Sequence, residues 1–177
     1  EAIRDGDLEV ISRPIDFLGV NYYFPSRVRA DARAEPLGVA FVDGPPPLTA
    51  MGWEVEPEGL YELLVRLHRD YAIPMAITEN GAAFDDPPAG DGIVEDPDRV
   101  AYLEGHLDAV ARAIEAGVDV RRYFAWSLMD NFEWSRGYAK RFGIVHVDYE
   151  TQRRTIKRSG VWYRDLIART RDARRPD

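Results

Sequence analysis

Three short apolar runs, each closed by polar residues, divide the chain. They are Ile15–Val20, Met75–Thr78 and Tyr123–Leu128. Each run predicts a buried strand, because strands covered on both faces have nearly continuous apolar sequences. A further extended pair is predicted within Phe142–Asp148, inside the loop after the third run. The stretch that follows the first run contains Gly44–Pro47 and predicts an irregular loop, since proline cannot continue a helix or a central strand.

Apolar residues at helical spacing predict three helices between and after these strands. The first should run from Pro57 to about Tyr71, with an apolar face formed by Leu60, Leu63, Leu64 and Leu67. The second begins at the Asp96-Pro97 pair and ends before Gly117. The third spans about Ile156–Arg169, and the polar tail from Arg171 to Asp177 should fray. Strands that alternate with helices indicate a parallel sheet, so the predicted class is α/β.

Three parallel strands with long loops after their carboxyl ends fit either an open doubly wound sheet or part of a barrel. No GxGxxG motif or phosphate-binding loop occurs in the sequence, which disfavours a nucleotide-binding sheet and favours the barrel. Barrel enzymes carry their catalytic groups at the carboxyl ends of the strands. Glu79 directly follows the second run and is therefore a candidate active-site residue.

Charge and composition narrow the classes of partner. Acidic residues outnumber basic ones by 31 to 23, giving a net charge of −8, which argues against nucleic acid and anionic membrane surfaces as partners. No apolar stretch approaches the roughly 20 residues of a membrane span. The first residues lack the features of a signal peptide and an initiator Met, so we expect the chain to begin inside a longer one. Cysteine is absent, which is compatible with the cytoplasm, the predicted location.

Metal and serine chemistry receive little support from the sequence. His68, His106 and His146 are far apart, and none has the spacing of a metal-binding pair with another His or carboxylate on a helix face. Ser127 has no G-x-S-x-G motif around it. We therefore predict no metal and no cofactor, and we interpret the three histidines as structural or surface residues.

Polar and aromatic groups follow all three apolar runs. The set comprises Asn21, Tyr23, Glu79, Trp126, Glu133 and Trp134. Carboxylates and amides bind sugar hydroxyls, and flat aromatic faces stack on sugar rings. For any one of these residues, a core Trp or a solvated Glu is the more common interpretation. Their coincidence at three successive strand ends favours a carbohydrate site, and glycoside hydrolysis needs two carboxyl groups in different environments.

Four segments together resemble glycoside hydrolase family 1, the β-glucosidase family: Asp16–Tyr23, Ile77–Gly81, Trp126–Trp134 and Arg141–Tyr149. Their order and spacing agree with the family over essentially the whole chain. The resemblance implies a (β/α)8 TIM barrel that hydrolyses β-glycosides with retention of configuration. Residues 1–177 would be a single segment, the C-terminal part of that barrel with about strands 6 to 8 and their helices. Strands 1 to 5 would lie outside this chain.

The resemblance also implies residue roles. Glu79 would be the nucleophile that forms the glycosyl-enzyme intermediate, Tyr23 would orient and tune it through a hydrogen bond, and Asn21 would lie beside the acid/base region. The implied substrate-binding residues are Trp126, Glu133, Trp134, Phe142 and Trp53. A carboxylate at position 133 would repel a phosphate, so the expected substrate is an unphosphorylated β-glucoside or oligosaccharide with a terminal non-reducing glucosyl residue. Whether glucosides, galactosides or fucosides are preferred is left open.

One half of the family's catalytic pair has no counterpart in this sequence. The family's acid/base Glu lies on an Asn-Glu-Pro motif, which does not occur here. A retaining mechanism needs two carboxyl groups roughly 5–5.5 Å apart. We therefore expect the chain to be inactive alone and to require a complementary N-terminal barrel fragment. The alternative is a binding or structural module that keeps the sugar platform without catalysis.

Overall fold

A computed structural model of the chain describes residues 3–87 and 92–172. In chain order, its helices and strands are α1 (Asp7–Ile11), β1 (Leu18–Asn21), β2 (Arg27–Ala30), β3 (Val39–Val42), α2 (Pro57–Tyr71), β4 (Met75–Asn80), α3 (Pro97–Glu115), β5 (Val120–Ala125), β6 (Val145–Val147), β7 (Arg154–Ile156) and α4 (Arg158–Asp172). A single 3-10 turn, Trp134–Arg136, lies between β5 and β6. Within these ranges, no helix combines the length and the apolar character needed to cross a bilayer.

A parallel three-stranded sheet in the order β1–β4–β5 organises the fold. Leu18 of β1 aligns with Met75 of β4, and Ile77 aligns with Tyr123 of β5. The carboxyl ends of the three strands therefore meet at one edge of the sheet. The helices α2 and α3 connect successive strands, so the α/β class predicted from the sequence is confirmed.

The hydrophobic core lies between the sheet and the helices α2 and α3. Its buried members are Val20, Tyr22, Leu60, Leu64, Met75, Ile77, Val110, Ala113 and Val118. The predicted α2 is confirmed with both of its bounds, and α3 begins at Pro97 as expected. Gly117 follows α3 with a φ of 96°, a left-handed conformation that glycine adopts without strain.

The opposite face of the sheet is open to solvent. Gly19 and Asn21 of β1, Thr78 of β4 and Arg122 of β5 are exposed on it. Phe124 of β5 is 52% exposed. Strands of a closed barrel are buried on both faces, so this face has the character of a barrel interior that other strands would cover.

All three strands of the sheet differ from the sequence prediction in their bounds, and β4 extends to Asn80, two residues beyond the predicted Thr78. β1 begins at Leu18 and not at Ile15, because the first ladder bond runs from the Leu18 N–H to the Pro74 carbonyl, and Ile15 is 56% exposed. β5 covers Val120–Ala125 and not Tyr123–Leu128. The beginning of this strand could not be recognised from the sequence, because the exposed pair Arg121-Arg122 interrupts the apolar pattern.

The prediction of an irregular stretch after β1 is wrong in part. β2 and β3 form an antiparallel hairpin there, and all four residues of β2 are exposed. A hairpin without a buried face leaves no alternating pattern to read. The extended pair predicted within Phe142–Asp148 is confirmed only for one strand, β6, because its partner β7 lies outside that range at Arg154–Ile156. Because Ile156 belongs to β7, α4 begins at Arg158. The helix also runs further than predicted, since Arg171 and Asp172 of the predicted frayed tail belong to α4, and residues 173–177 lie outside the described residues.

Candidate functional site

The site lies where β1 and β4 end side by side. Asn21 and Glu79 are register partners, and the Tyr23 hydroxyl donates a hydrogen bond of 2.5 Å to Oε2 of Glu79. Burial raises the pKa of Tyr23, and the hydrogen bond to Glu79 with its negative charge, followed by the charge of Glu133, raises it further. The phenol therefore stays protonated and acts as a permanent donor to the carboxylate.

Asn21 lies on the open face of the sheet. Its Oδ1 accepts a hydrogen bond of 2.6 Å from the Thr78 hydroxyl, so the amide is tied to the strand that carries Glu79. A Cβ at Gly19 would lie 3.3 Å from the Thr78 side chain, and the glycine thus leaves room for this pair. Thr78 was not singled out from the sequence, because its exposed position gave no apolar signal.

Aromatic rings form a wall beside Glu79. The ring centroids of Tyr23 and Trp53 are 5.6 Å apart, those of Tyr23 and Phe142 6.4 Å, and those of Trp53 and Phe142 6.0 Å. Phe24 stacks nearly parallel on the outer face of this group, with its centroid 4.8 Å from that of Trp53. The structure thus brings Trp53 and Phe142 to the nucleophile candidate, and it adds Phe24, which the sequence reasoning missed.

The loop after β5 carries the other predicted sugar contacts. Glu133 is partly buried, accepts a hydrogen bond of 3.2 Å from the Asn131 amide, and its own N–H donates to the Gly137 carbonyl. Trp126 is partly buried and its N–H donates to the Asn80 carbonyl at 2.8 Å. Trp134, in contrast, is 82% exposed, so its indole lies open to solvent beside the loop.

Gly81 fixes how closely this loop approaches β4. A Cβ at position 81 would lie 1.7 Å from the Trp126 carbonyl oxygen, a separation that no side chain permits. The glycine of the Ile77–Gly81 segment therefore has a packing reason: it lets the end of β5 close against the residue pair that follows the candidate nucleophile.

A buried cluster of charged side chains anchors this loop. Lys157 donates to Asp130 at 2.9 Å and to Asp86 at 2.5 Å, and all three side chains are at most 1% exposed. Arg99 pairs with Asp86 at 2.8 Å, and Arg141 pairs with Asp130 at 3.0 Å. Asp130 also accepts the backbone N–H groups of Gly143 and Val147, so the base of the Glu133 loop is tied to β6 and, through Lys157 and Asp86, to Arg99 of α3. Lys157 was not predicted, although it is one of only two lysines in an arginine-rich chain.

The same cluster contains a group of potential metal ligands. Oxygen and nitrogen atoms of Asp86, Asp130 and His146 lie within 4.8 Å of one another. Both carboxylates already bind the Lys157 ammonium, and burial, followed by the charge of Arg141, lowers the pKa of His146. The group is thus accounted for by its ion pairs, in keeping with the structural role inferred for His146.

Comparisons with known sequences agree on one family. A profile of glycosyl hydrolase family 1 matches residues 1–172. β-Glucosidase A of Thermotoga maritima is 50% identical over 162 residues, which are 91% of this chain and 36% of the relative. The bifunctional β-D-glucosidase/β-D-fucosidase of Bifidobacterium breve is 50% identical over 183 residues, and the match covers 94% of this chain and 40% of the relative. The chain thus spans well under half the length of these curated relatives.

Comparisons with solved structures give the same picture. The family 1 β-glucosidase from Thermotoga maritima superposes with a TM-score of 0.88 and 49% identity, over 92% of this chain and 37% of that one. The AHE enzyme from Alicyclobacillus herbarius gives a TM-score of 0.89 and 48% identity, over 94% of this chain and 37% of that one. A complex of the Thermotoga maritima β-glucosidase with glucoimidazole gives a TM-score of 0.86 and 48% identity. The match covers 92% of this chain and 36% of that one.

Proposed function

Because this chain belongs to glycosyl hydrolase family 1 and forms part of a TIM barrel, we propose that it supplies the nucleophile half of a retaining β-glycosidase. In this proposal Glu79 attacks the anomeric carbon, the aglycone leaves, and water then hydrolyses the covalent glycosyl-enzyme ester. The observation that carries the proposal is the 2.5 Å hydrogen bond from Tyr23 to Glu79 at the carboxyl ends of the strands. An attacking carboxylate must be held in a fixed orientation, and a hydrogen bond from a fixed donor provides this.

The proposed substrates are β-glucosides or oligosaccharides with a terminal, non-reducing, unphosphorylated β-D-glucosyl residue. The names of the relatives support this class, since they are β-glucosidases and one structure contains glucoimidazole. Glu133 would accept hydrogen bonds from sugar hydroxyls, and Trp126 and Trp134 would enclose the ring. Phe142 would border the same pocket, and Trp53 would line the aglycone side. The rings within about 6 Å of Tyr23 support this arrangement.

The proposal includes a partner, a complementary N-terminal barrel fragment that provides the acid/base carboxyl group. Two features support it. The chain covers only 36% of the length of the Thermotoga maritima relative, and the sheet face that a closed barrel would bury is exposed. Asn21, on this open face next to Glu79, would lie beside the incoming acid/base group.

A chimera tests the proposal. Residues 1–177 are joined to the part of Thermotoga maritima β-glucosidase A that precedes the matched region. We expect the chimera to hydrolyse p-nitrophenyl β-D-glucoside, and Glu79→Gln to lose turnover by several orders of magnitude, because loss of a nucleophile removes the covalent route. A 2-fluoro-glucoside should label Glu79, as shown by peptide mass mapping.

The control is Glu150→Gln, which alters an exposed carboxylate in the turn before β7 and should leave turnover unchanged. If the chimera is active and Glu79→Gln is equally active, Glu79 is not the nucleophile. A chimera that binds glucosides without turning them over would support the alternative of a sugar-binding module.

A further inference from the structure

The residue after the proposed nucleophile is the centre of a buried hydrogen-bond network. Asn80 is fully buried. Its amide nitrogen donates to the Tyr22 carbonyl at 2.8 Å and to the Tyr102 hydroxyl at 3.1 Å, and its Oδ1 accepts from the Tyr123 hydroxyl at 2.6 Å. One side chain thus joins the carboxyl ends of all three strands to α3.

Tyr102 extends this network to the residue that contacts Glu79. Its side chain, on α3, is 1% exposed, and its hydroxyl donates to the Tyr23 carbonyl at 3.0 Å while accepting from Asn80. Behind it, the ring stacks on His106 with 3.9 Å between the centroids. The hydroxyl therefore has both a donor and an acceptor partner and a rigid backing.

Tyr23 needs such support because it lies beyond the end of β1, where the sheet ladder no longer holds the main chain. The Tyr22 N–H donates to the Glu79 carbonyl at 3.0 Å, the Tyr22 carbonyl accepts from Asn80, and the Tyr23 carbonyl accepts from Tyr102. Two of these bonds hold Tyr22 to β4, and the third holds Tyr23 to Tyr102 of α3. A hydrogen bond to a carboxylate weakens steeply when its donor moves or tilts, so these bonds set the contact with Glu79.

We propose that Tyr102 is a positioning residue for the nucleophile, which it serves by holding the main chain of Tyr23 in the place where the Tyr23 hydroxyl meets Glu79. This inference rests on the proposed function of Glu79. Tyr102 touches neither substrate nor Glu79 in this role, and its effect passes through Tyr23.

The test uses Tyr102→Phe in the chimera, which removes one hydroxyl and keeps the ring stack. We expect kcat/KM for p-nitrophenyl β-D-glucoside to fall by about tenfold, the scale of one lost hydrogen bond. Labelling of Glu79 by a 2-fluoro-glucoside should slow in parallel, because a displaced Tyr23 hydroxyl no longer holds the attacking carboxylate in place. The labelling rate is measured on the folded fraction alone.

Tyr163→Phe is the matched control. Its hydroxyl also donates to a tyrosine carbonyl, that of Tyr123 at 3.3 Å, but on the α4 side of β5. The chemical change is the same, so a general loss of stability would affect both variants. We expect Tyr163→Phe to be labelled by the 2-fluoro-glucoside at the rate of the unmodified chimera.

A double-mutant cycle with Tyr23→Phe separates a positioning role from a direct one. If Tyr102 acts through Tyr23, Tyr102→Phe slows labelling of Glu79 in the original background and adds no further loss in the Tyr23→Phe background. Equal losses in both backgrounds, or an unchanged labelling rate in folded Tyr102→Phe, overturn the inference. An active Glu79→Gln chimera would instead overturn the proposed function, so the two failures are distinguishable.

Discussion

At the residue scale, the tyrosine–carboxylate pair depends on buried neighbours that have no chemical role. His106 is the clearest example. It is fully buried, its Nδ1–H donates to the Tyr102 carbonyl at 2.7 Å, and its Nε2 has no hydrogen-bond partner among the described residues. Burial lowers the pKa of His106 from 6.5 to about 4. The imidazole is therefore neutral at pH 7, and it supports Tyr102 by stacking.

This burial predicts a pH-dependent stability. Between pH 6.5 and about 4, the unfolded chain binds a proton at His106 that the folded chain does not, so the free energy of unfolding should fall as the pH is lowered. The loss should be on the order of 3 kcal/mol and complete near pH 4. His106→Asn keeps a donor in place of Nδ1 and cannot titrate, so its urea-unfolding free energy in the chimera should decline less steeply over this window.

Measurements at pH 8 serve as the reference for this comparison. There the side chain at position 106 is uncharged in both proteins, and any difference between them reflects packing alone. Parallel stability curves for the unmodified chimera and the His106→Asn variant from pH 8 to pH 4 would show that the buried imidazole does not contribute to the pH dependence.

At the element scale, buried charges join pieces that are distant in sequence. Lys157 precedes α4, Asp86 follows β4 and Asp130 follows β5, and all three meet in the interior. Asp96 adds a link from the start of α3, since it accepts both the N–H and the hydroxyl of Ser159 in α4. The loop that carries Glu133 is thus held by side chains of elements that the core packing alone does not connect to it.

Replacing Lys157 tests this anchoring. Lys157→Met leaves two buried carboxylates without their ammonium partner, and we expect a destabilisation of about 3–5 kcal/mol in urea unfolding of the chimera. The KM for p-nitrophenyl β-D-glucoside should rise as well, because the Glu133 loop loses its anchor at Asp130.

The adjacent Arg158→Met provides the control for Lys157→Met. Arg158 pairs with Glu95 at 2.6 Å, but both side chains are largely exposed, and surface pairs contribute little. Similar losses of stability for the two variants would contradict an anchoring role of the buried cluster.

At the scale of the whole molecule, the three strands form an open sheet with one covered face. Phe124 on the uncovered face is 52% exposed, and Leu128 beyond the end of β5 is 65% exposed. An apolar groove of about 550 Å³ runs between α4 and the β6–β7 hairpin. Its lining includes Leu128, Ile144, Val145, Ile156, Tyr163 and Ile167. Apolar surface of this kind favours association with the remaining strands or, without them, self-association.

Phe124→Ser tests whether this face binds the complementary fragment. In the chain by itself the substitution should reduce self-association, because an exposed ring is replaced by a hydroxyl. In a mixture with the separate N-terminal fragment of Thermotoga maritima β-glucosidase A, it should weaken assembly, because the same position becomes buried. Gel filtration and the turnover regained on titration of the fragment measure the two effects.

Phe41→Ser is the control for assembly, since Phe41 is 78% exposed on the β2–β3 hairpin and away from the open sheet face. It should leave the amount of fragment needed for half-maximal turnover unchanged. Unaided turnover by residues 1–177 would contradict the requirement for a partner. Equal effects of Phe124→Ser and Phe41→Ser on assembly would show that the fragment does not bind specifically at the open sheet face.

Much of the fold was predictable because the local pattern and the tertiary packing agree. α2 and α3 were predicted well, since their apolar stripes pack on the sheet and proline marks their first turns. The β2–β3 hairpin was missed because it buries no face. β5 was shifted because Arg121 and Arg122 are exposed in the open sheet. A cytoplasmic location, a single-segment domain and the individual site roles stay predictions.

The sequence alone determined the family, the parallel α/β architecture and the candidate carboxylate Glu79. Those features depend on residue order, on apolar periodicity and on long motifs, all of which are local. Only the tertiary structure decided which groups hold the site together: Asn80 and Tyr102 behind Glu79, and Lys157 beneath the Glu133 loop. Their partners lie 22 to 79 residues away along the chain. A polar side chain becomes an interior anchor only when folding removes it from water, so that role cannot be recognised from the sequence alone.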